Sequence, residues 1–150
     1  MNLKNKSIVI IANGSSPKHS KVKKILLSKS KFLFCDGAIN NKAYKRVKPF
    51  KIIGDLDSIS NNLIKKYDSL IISEPSQNKN DLHKALSWCK NNNFYNVIII
   101  GASGKREDHF IGNIFLLFKF SKMNVKLITD EGTFIVISKN TTFKSYNNQQ

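Results

Sequence analysis

The stretch Val97-Ile98-Ile99-Ile100-Gly101-Ala102-Ser103-Gly104-Lys105-Arg106-Glu107-Asp108-His109-Phe110 decides the fold. Four consecutive apolar residues without polar alternation read as a strand buried on both faces. Gly101 to Glu107 form a glycine-bearing loop. Asp108 then starts a strongly apolar helix containing Phe110, Ile111, Ile114, Phe115, Leu117 and Phe118. A fully buried strand that runs through a loop into a helix is the repeating half of a parallel α/β sheet.

The same alternation extends to both sides. Ser7–Ala12, Phe32–Cys35, Phe50–Ile53, Leu70–Ile72 and Val125–Thr129 read as further apolar strands. Between them, Ser16-Pro17 signals a helix running to about Ser28, and Ile39–Lys45 a short helix stopped before Pro49. Ser60 caps a helix to about Tyr67, with Leu63, Ile64 and Tyr67 on one face. Asn80 caps Asp81–Asn91, which buries Leu82, Ala85 and Leu86. Phe134–Ser138 and Thr142–Tyr146 read as two weaker strands turning at Lys139-Asn140. The expected architecture is α/β: a mostly parallel, Rossmann-like three-layer sheet with helices on both faces over residues 1–129. The start of a small all-β domain follows over 130–150.

Composition bounds the function. One hundred and fifty residues with 41% hydrophobic content make about one domain with a real core. The apolar run Ile8 to Ala12 is too short for a signal peptide, and no stretch approaches the ~20 apolar residues of a membrane span. Cys35 and Cys89 lack metal-ligand spacing and read as reduced core cysteines of a cytoplasmic protein. The formal charge of +15 comes from scattered lysines rather than one stripe. It suits long-range attraction of a polyanion such as ATP better than a nucleic-acid groove.

Against 25 Lys+Arg there are only 10 Asp+Glu, and they are concentrated where strands end. Asp36 follows Phe32–Cys35, Asp55 and Asp57 follow Phe50–Ile53, Asp108 follows the glycine loop, and Asp81 opens a helix. Right-handed crossovers place all strand-to-helix loops on one edge of the sheet, where ligands bind. Five carboxylates are therefore expected at one rim. Two carboxylates 4 Å apart repel by roughly 4 kcal/mol at an effective dielectric near 20, so a cation is expected among them. Oxygen ligands without a Cys/His cluster favour Mg²⁺, shared with substrate phosphates. Asp55 and Asp57, at i and i+2 of a strand end, would point to the same side and address one ion. The same pair also suits a turn that caps the next helix.

Gly101 and Gly104 allow backbone amides to approach an anion, and Arg106 offers a planar donor fork for phosphate. The segment is not a Walker sequence, since no Lys-Ser/Thr follows the last glycine. Asp108 also suits a helix cap, and His109 reads as structural. Asp81 and Lys84 share a helical face, either as a surface ion pair or as a metal ligand and a phosphate-binding cation. His19 and His83 carry no distinct signal.

Asn13-Gly14, Cys35-Asp36-Gly37-Ala38, Ile53-Gly54-Asp55-Leu56-Asp57-Ser58-Ile59, Asn80 to Leu86 and Gly101 to Asn113 resemble, in order, the successive motifs of thiamine pyrophosphokinases. The resemblance spans residues 8 to 131. It implies transfer of a diphosphoryl group from ATP to the hydroxyl of thiamine, giving thiamine diphosphate and AMP. It implies Mg²⁺ on Asp55, Asp57 and Asp81 with Asp108 close by. Asp36, Lys84 and Arg106 would meet the nucleotide or its phosphates, with Asn13 and Asn113 as supporting contacts. It also implies a homodimer in which a second, all-β domain helps bind thiamine. Only 20 residues follow Asp130, so they would be the first strands of that domain, cut short.

Two other readings compete. Asp55-Leu56-Asp57-Ser58 superficially matches the nucleophile motif of aspartyl-phosphate phosphatases, although it follows the third strand and leaves Asp81 and Lys84 unexplained. A basic nucleic-acid-binding module would need exposed aromatics between basic residues, whereas Phe32, Phe34, Phe115 and Phe118 sit in core-like patterns.

Overall fold

Ile8, Val9, Ile10 and Ile11, none more than 2% exposed, form the central strand of the molecule and divide its core in two. A computed structural model describes residues 6–144. Strand β1 (Lys6–Ile11) lies between β2 (Phe32–Cys35) and β5 (Phe94–Ile100). The sheet order is β4-β3-β2-β1-β5-β6-β7, with β3 at Lys51–Gly54, β4 at Ile71–Ser73, β6 at Asn124–Ile128 and β7 at Thr133–Ile135. All pairings are parallel except β6 with β7. Alternate strand residues face opposite layers. Ile8, Ile10, Leu33, Cys35, Val97 and Ile99 pack under α3 (Asp81–Asn91) and α4 (Glu107–Lys119). Val9, Ile11, Phe32, Phe34 and Ile52 pack under α1 (Ser20–Leu26) and α2 (Asn61–Tyr67). This is the expected three-layer arrangement.

Four local expectations are corrected. The first helix starts at Ser20, not at Ser16-Pro17, because Asp130 holds the amides of Lys18 and His19 and keeps them out of the helix. His19 supplies the cap, its Nδ1 accepting from the Lys21 amide at 3.2 Å. The expected helix over Ile39–Lys45 is two 3₁₀ turns, Asp36–Asn40 and Lys42–Tyr44, interrupted by extended Asn41. In α4 the apolar residues outnumber what one face can bury. Leu117 is in the core, while Ile111, Phe115 and Phe118 stand 57%, 67% and 60% exposed, so the core-like reading of the two phenylalanines fails.

The fourth concerns the end of the sheet. Thr133–Ile135 is shorter than the expected strand and pairs with β6 across a turn in which the Thr129 hydroxyl accepts from the amides of Glu131 and Gly132. The expected boundary at 129 thus falls between neighbouring strands of one sheet. Residues 142–144 form no strand, and the rest of the expected Thr142–Tyr146 strand lies outside the described residues.

Candidate functional site

Strand order reverses between β1 and β5, so the loops after these strands flank the crevice where ligands bind in such sheets. Here the two loops are joined. The Ala12 amide donates to Ile100 O at 2.9 Å, Gly14 to Gly101 O at 2.6 Å and Ser15 to Ser103 O at 2.8 Å. The Ser15 hydroxyl reaches Gly104 O, and Lys105 Nζ donates to Asn13 O at 2.9 Å. Gly101 and Gly104 have φ of +67° and +83°, which suits glycine. A Cβ on Gly14 would collide with the carbonyl oxygens of Gly101 and Ser103. The glycines expected to cradle an anion therefore serve first to pack one loop against the other.

On one side of this seam lies a cleft of about 550 Å³, bordered by Asn13, Asp55, Asp81, Lys84, Arg106 and Asn113. Asp81 is placed by Asn80, whose side chain accepts from the His83 amide at 2.8 Å and caps α3. Lys84, one turn on, is 3% exposed. Its ammonium lies 3.3 Å from Asp81 Oδ1 and 3.9 Å from Asp55 Oδ2. The pair read from sequence as either surface or functional is thus a buried cation between two carboxylates. Burial raises the Asp81 carboxyl above its ordinary value, partly offset by the hydrogen bond from Lys84.

The other acids take different places. Leu56 has φ of +73°, so the chain leaves the strand after Gly54, and Asp55–Asp57 is a turn. The Asp57 amide donates to Asp55 Oδ1 at 3.3 Å, and Asp57 itself is exposed. The i, i+2 rule of a strand end does not govern this pair. Asp36 is 3% exposed and lies under the same turn, its Oδ1 accepting from the Leu56 amide at 3.1 Å. It shapes the turn from beneath rather than lining the cleft. Asp108 is exposed at the rim and paired with Arg106, whose guanidinium holds its carboxyl below the ordinary value. Asn113 is buried and ties α4 to both neighbours, donating to Ala102 O at 3.1 Å and accepting from Asn80 at 3.4 Å.

Among the described residues no three His, Cys, Asp or Glu side chains stand close enough to hold a metal ion. Asp55 and Asp81 do fit Mg²⁺, which is usually held by one or two carboxylates together with substrate phosphates. Sequence reasoning missed Gln77, Lys79, Ser103 and Lys105 as cleft residues. They occupy loops without periodicity, and only the pairing of loops distant in sequence reveals them.

A profile of the thiamin pyrophosphokinase catalytic domain matches residues 22–129. The chain is 35% identical over 105 residues to thiamine pyrophosphokinase 1 of Oryza sativa subsp. japonica, covering 63% of this chain and 39% of that protein. It is 35% identical over 83 residues to thiamine pyrophosphokinase of Bacillus subtilis, covering 53% and 39%. The crystal structure of thiamine pyrophosphokinase from Bacillus subtilis superposes with a TM-score of 0.66 at 28% identity, covering 82% of this chain and 60% of the other. Yeast thiamin pyrophosphokinase, at 19% identity and a TM-score of 0.64 over 83% of this chain and 58% of the other, shares the fold. The segments matched in sequence cover about two fifths of the length of the rice and Bacillus subtilis proteins. These likenesses lend no support to a phosphatase or a nucleic-acid module. With the expected motifs in order on a matching fold, the chain belongs to the thiamin pyrophosphokinase family.

Proposed function

We propose that this chain carries the ATP chemistry of a thiamine diphosphokinase, moving a diphosphoryl group from ATP to the hydroxyl of thiamine and releasing AMP. The observation that supports it best is the buried Lys84 ammonium between Asp55 and Asp81 at the edge of the sheet where α/β ligands bind. A phosphate entering the cleft would meet the buried cation. Asp55 and Asp81 would hold Mg²⁺, which when bound neutralises charge on the diphosphoryl oxygens, with the exposed Asp57 on the turn beside them. Lys84 holds a phosphate oxygen in place at low exposure, where its charge counts most. Arg106 and Asn13 flank the cleft, and Arg106 offers its donor fork to phosphate while Asp108 orients it. Asp36 and Asn113 act by fixing the turn and the helix that carry these groups.

The reaction is a displacement. The thiamine hydroxyl oxygen bonds to the β-phosphorus as the bond from that phosphorus to the α–β bridging oxygen breaks. The bridging oxygen leaves with AMP, and the hydroxyl proton passes to a carboxylate or water. Such a step depends on positioning and charge neutralisation more than on a strong nucleophile. In this reading residues 1–129 hold the catalytic side chains, and the segment from 130 on belongs to a second, all-β unit, with β7 adding to the edge of the sheet through β6. A homodimer and a cytoplasmic location belong to the same proposal. The exposed stripe on α4 offers a second copy an apolar surface, and two buried unpaired cysteines suit a reducing compartment.

The test is AMP release from ATP and Mg²⁺ with and without thiamine. Thiamine-dependent AMP, reduced by about 100-fold or more in Asp55→Asn, is the expected result. AMP release indifferent to thiamine, or an Asp55→Asn variant at the wild-type rate, rejects the reading.

A further inference from the structure

Strands β1 to β6 are parallel, so they all begin at the edge of the sheet opposite the cleft of Asp55 and Asp81, and the four helices end there. Each helix carries lysine in its last turn: Lys23 and Lys24, Lys65 and Lys66, Lys90, and Lys119. The carbonyl end of a helix favours a cation, which explains these six. It does not explain Lys6, Lys29 and Lys31, which lie outside the helices and are exposed at the same edge. Among the described residues Asp68 is the one acid of this edge, and none of these lysines is in an ion pair. Lysines that look scattered along the sequence are thus gathered in space, away from the acids.

Lys6, Lys29 and Lys31 border a cleft of about 550 Å³ together with Ser7, Ser30 and Phe94. A smaller hollow of about 140 Å³ continues it, sharing Ser7 and Ser30 and reaching Asn96, Asn124 and Lys126. The two form one groove across the starts of β2, β1, β5 and β6. Strands about 4.8 Å apart give it a length of about 14 Å, the axial rise of about four phosphates on one strand of a duplex. Two of the cations are held in place by aromatic rings. Lys31 Nζ lies 4.6 Å from the centre of the Phe50 ring and 5.5 Å from that of Phe94, which Lys6 Nζ approaches at 5.8 Å. Hydroxyls and amides between the lysines suit phosphate and sugar oxygens.

We propose that this groove binds the backbone of a nucleic-acid duplex without regard to sequence, leaving the cleft of Asp55 and Asp81 free on the opposite edge. A duplex fits better than an unpaired strand. Phe94, the one ring bordering the groove, is buried beneath lysines, so unpaired bases have no platform to stack on. A bilayer fits less well, because no exposed large apolar side chain borders the groove to enter it. The binding is independent of the phosphotransfer reading.

Fluorescence anisotropy of labelled duplexes of about 20 base pairs, titrated with the chain over a range of salt, tests it. Duplexes of unrelated sequence should bind alike, with log affinity falling against log salt at a slope of about −3 to −4. Lys29→Gln with Lys31→Gln should weaken binding by about tenfold or more and flatten the slope by about two. Lys29→Arg with Lys31→Arg should keep both affinity and slope, which separates loss of charge from damage to the fold. Lys21→Gln with Lys42→Gln removes the same charge away from the groove and should change affinity by less than about threefold. Equal losses in the two glutamine pairs would assign the binding to net charge and overturn the proposal. Affinity that ignores salt, or no duplex binding at about 50 mM salt, overturns it as well. If vesicles of phosphatidylcholine and phosphatidylserine capture the chain through Lys29 and Lys31 while duplexes do not, the edge meets a membrane and the proposal is likewise overturned.

Discussion

Lys84 of α3 sets its ammonium 3.9 Å from Asp55 Oδ2 on the turn after β3, joining two elements whose acids would otherwise repel. Asp81, at 3.3 Å, completes the arrangement. Lys84→Met keeps the side-chain length and leaves two carboxylates facing one another. The expected loss at neutral pH is about 2 kcal/mol, below the roughly 3–5 kcal/mol of a fully buried pair, because both acids keep partial access to water. The folded-state value of Asp81 is already raised by burial, so stability linked to it increases as pH falls. Thermal unfolding should therefore show a smaller deficit for Lys84→Met near about pH 4 than near neutrality. An equal deficit at both would remove the electrostatic explanation.

Two glycine-to-alanine changes should act in opposite directions. Gly14→Ala drives a methyl group into the carbonyl oxygens of Gly101 and Ser103 and opens the seam between the loops. A loss of about 2 kcal/mol or more is expected from this overpacking. Gly112 lies inside α4, and nothing beyond its own stretch of helix comes within 4 Å of an added Cβ. Gly112→Ala should gain about 0.5–1 kcal/mol through helix propensity and a less disordered unfolded chain. Urea unfolding of the two variants measures the contrast.

The parallel sheet was legible because its strands are apolar on both faces, so Val97–Ile100 and Phe32–Cys35 admit no half-exposed reading. Asn80 was legible as a cap because a short polar side chain preceded a periodic apolar run. The shape of the acid cluster was not. Strand-end logic placed Asp57 beside Asp55, but the left-handed Leu56 turns it outward, and no propensity forecasts a positive φ at leucine. Asp36 was legible as a rim residue and proved to be a support, because the contact that buries it is with Leu56, 20 residues away. The delayed start of α1 depends on Asp130, a partner more than one hundred residues distant.

Asp130 ties the β1–α1 loop to the end of β6 through three contacts, at 3.0 and 2.8 Å to the Lys18 amide and 2.9 Å to that of His19. These amides, that of His19 foremost, hold its carboxyl below the ordinary 3.8. For an acid lowered on folding, the contribution is present above the unfolded value and disappears as pH falls through the folded one. Asp130→Ala should cost about 1 kcal/mol at neutral pH and nothing once both states are protonated, well below pH 3.8. Urea titrations across this range, with hydrogen exchange at the Lys18 and His19 amides, check it. A deficit that persists in strong acid would point to packing instead.

Ile111, Phe115 and Phe118 recur at helical spacing along α4 and form an apolar stripe facing away from the core. Being more than half exposed, they contribute little to stability and offer an apolar surface through which copies of the chain would associate. Replacing Phe115 and Phe118 by Glu and Lys should change unfolding free energy by no more than about 0.5 kcal/mol. Light scattering at increasing concentration should show less self-association than in the wild type. If the variant instead unfolds readily with unchanged association, the two rings contribute to the fold in a way that their exposure does not indicate.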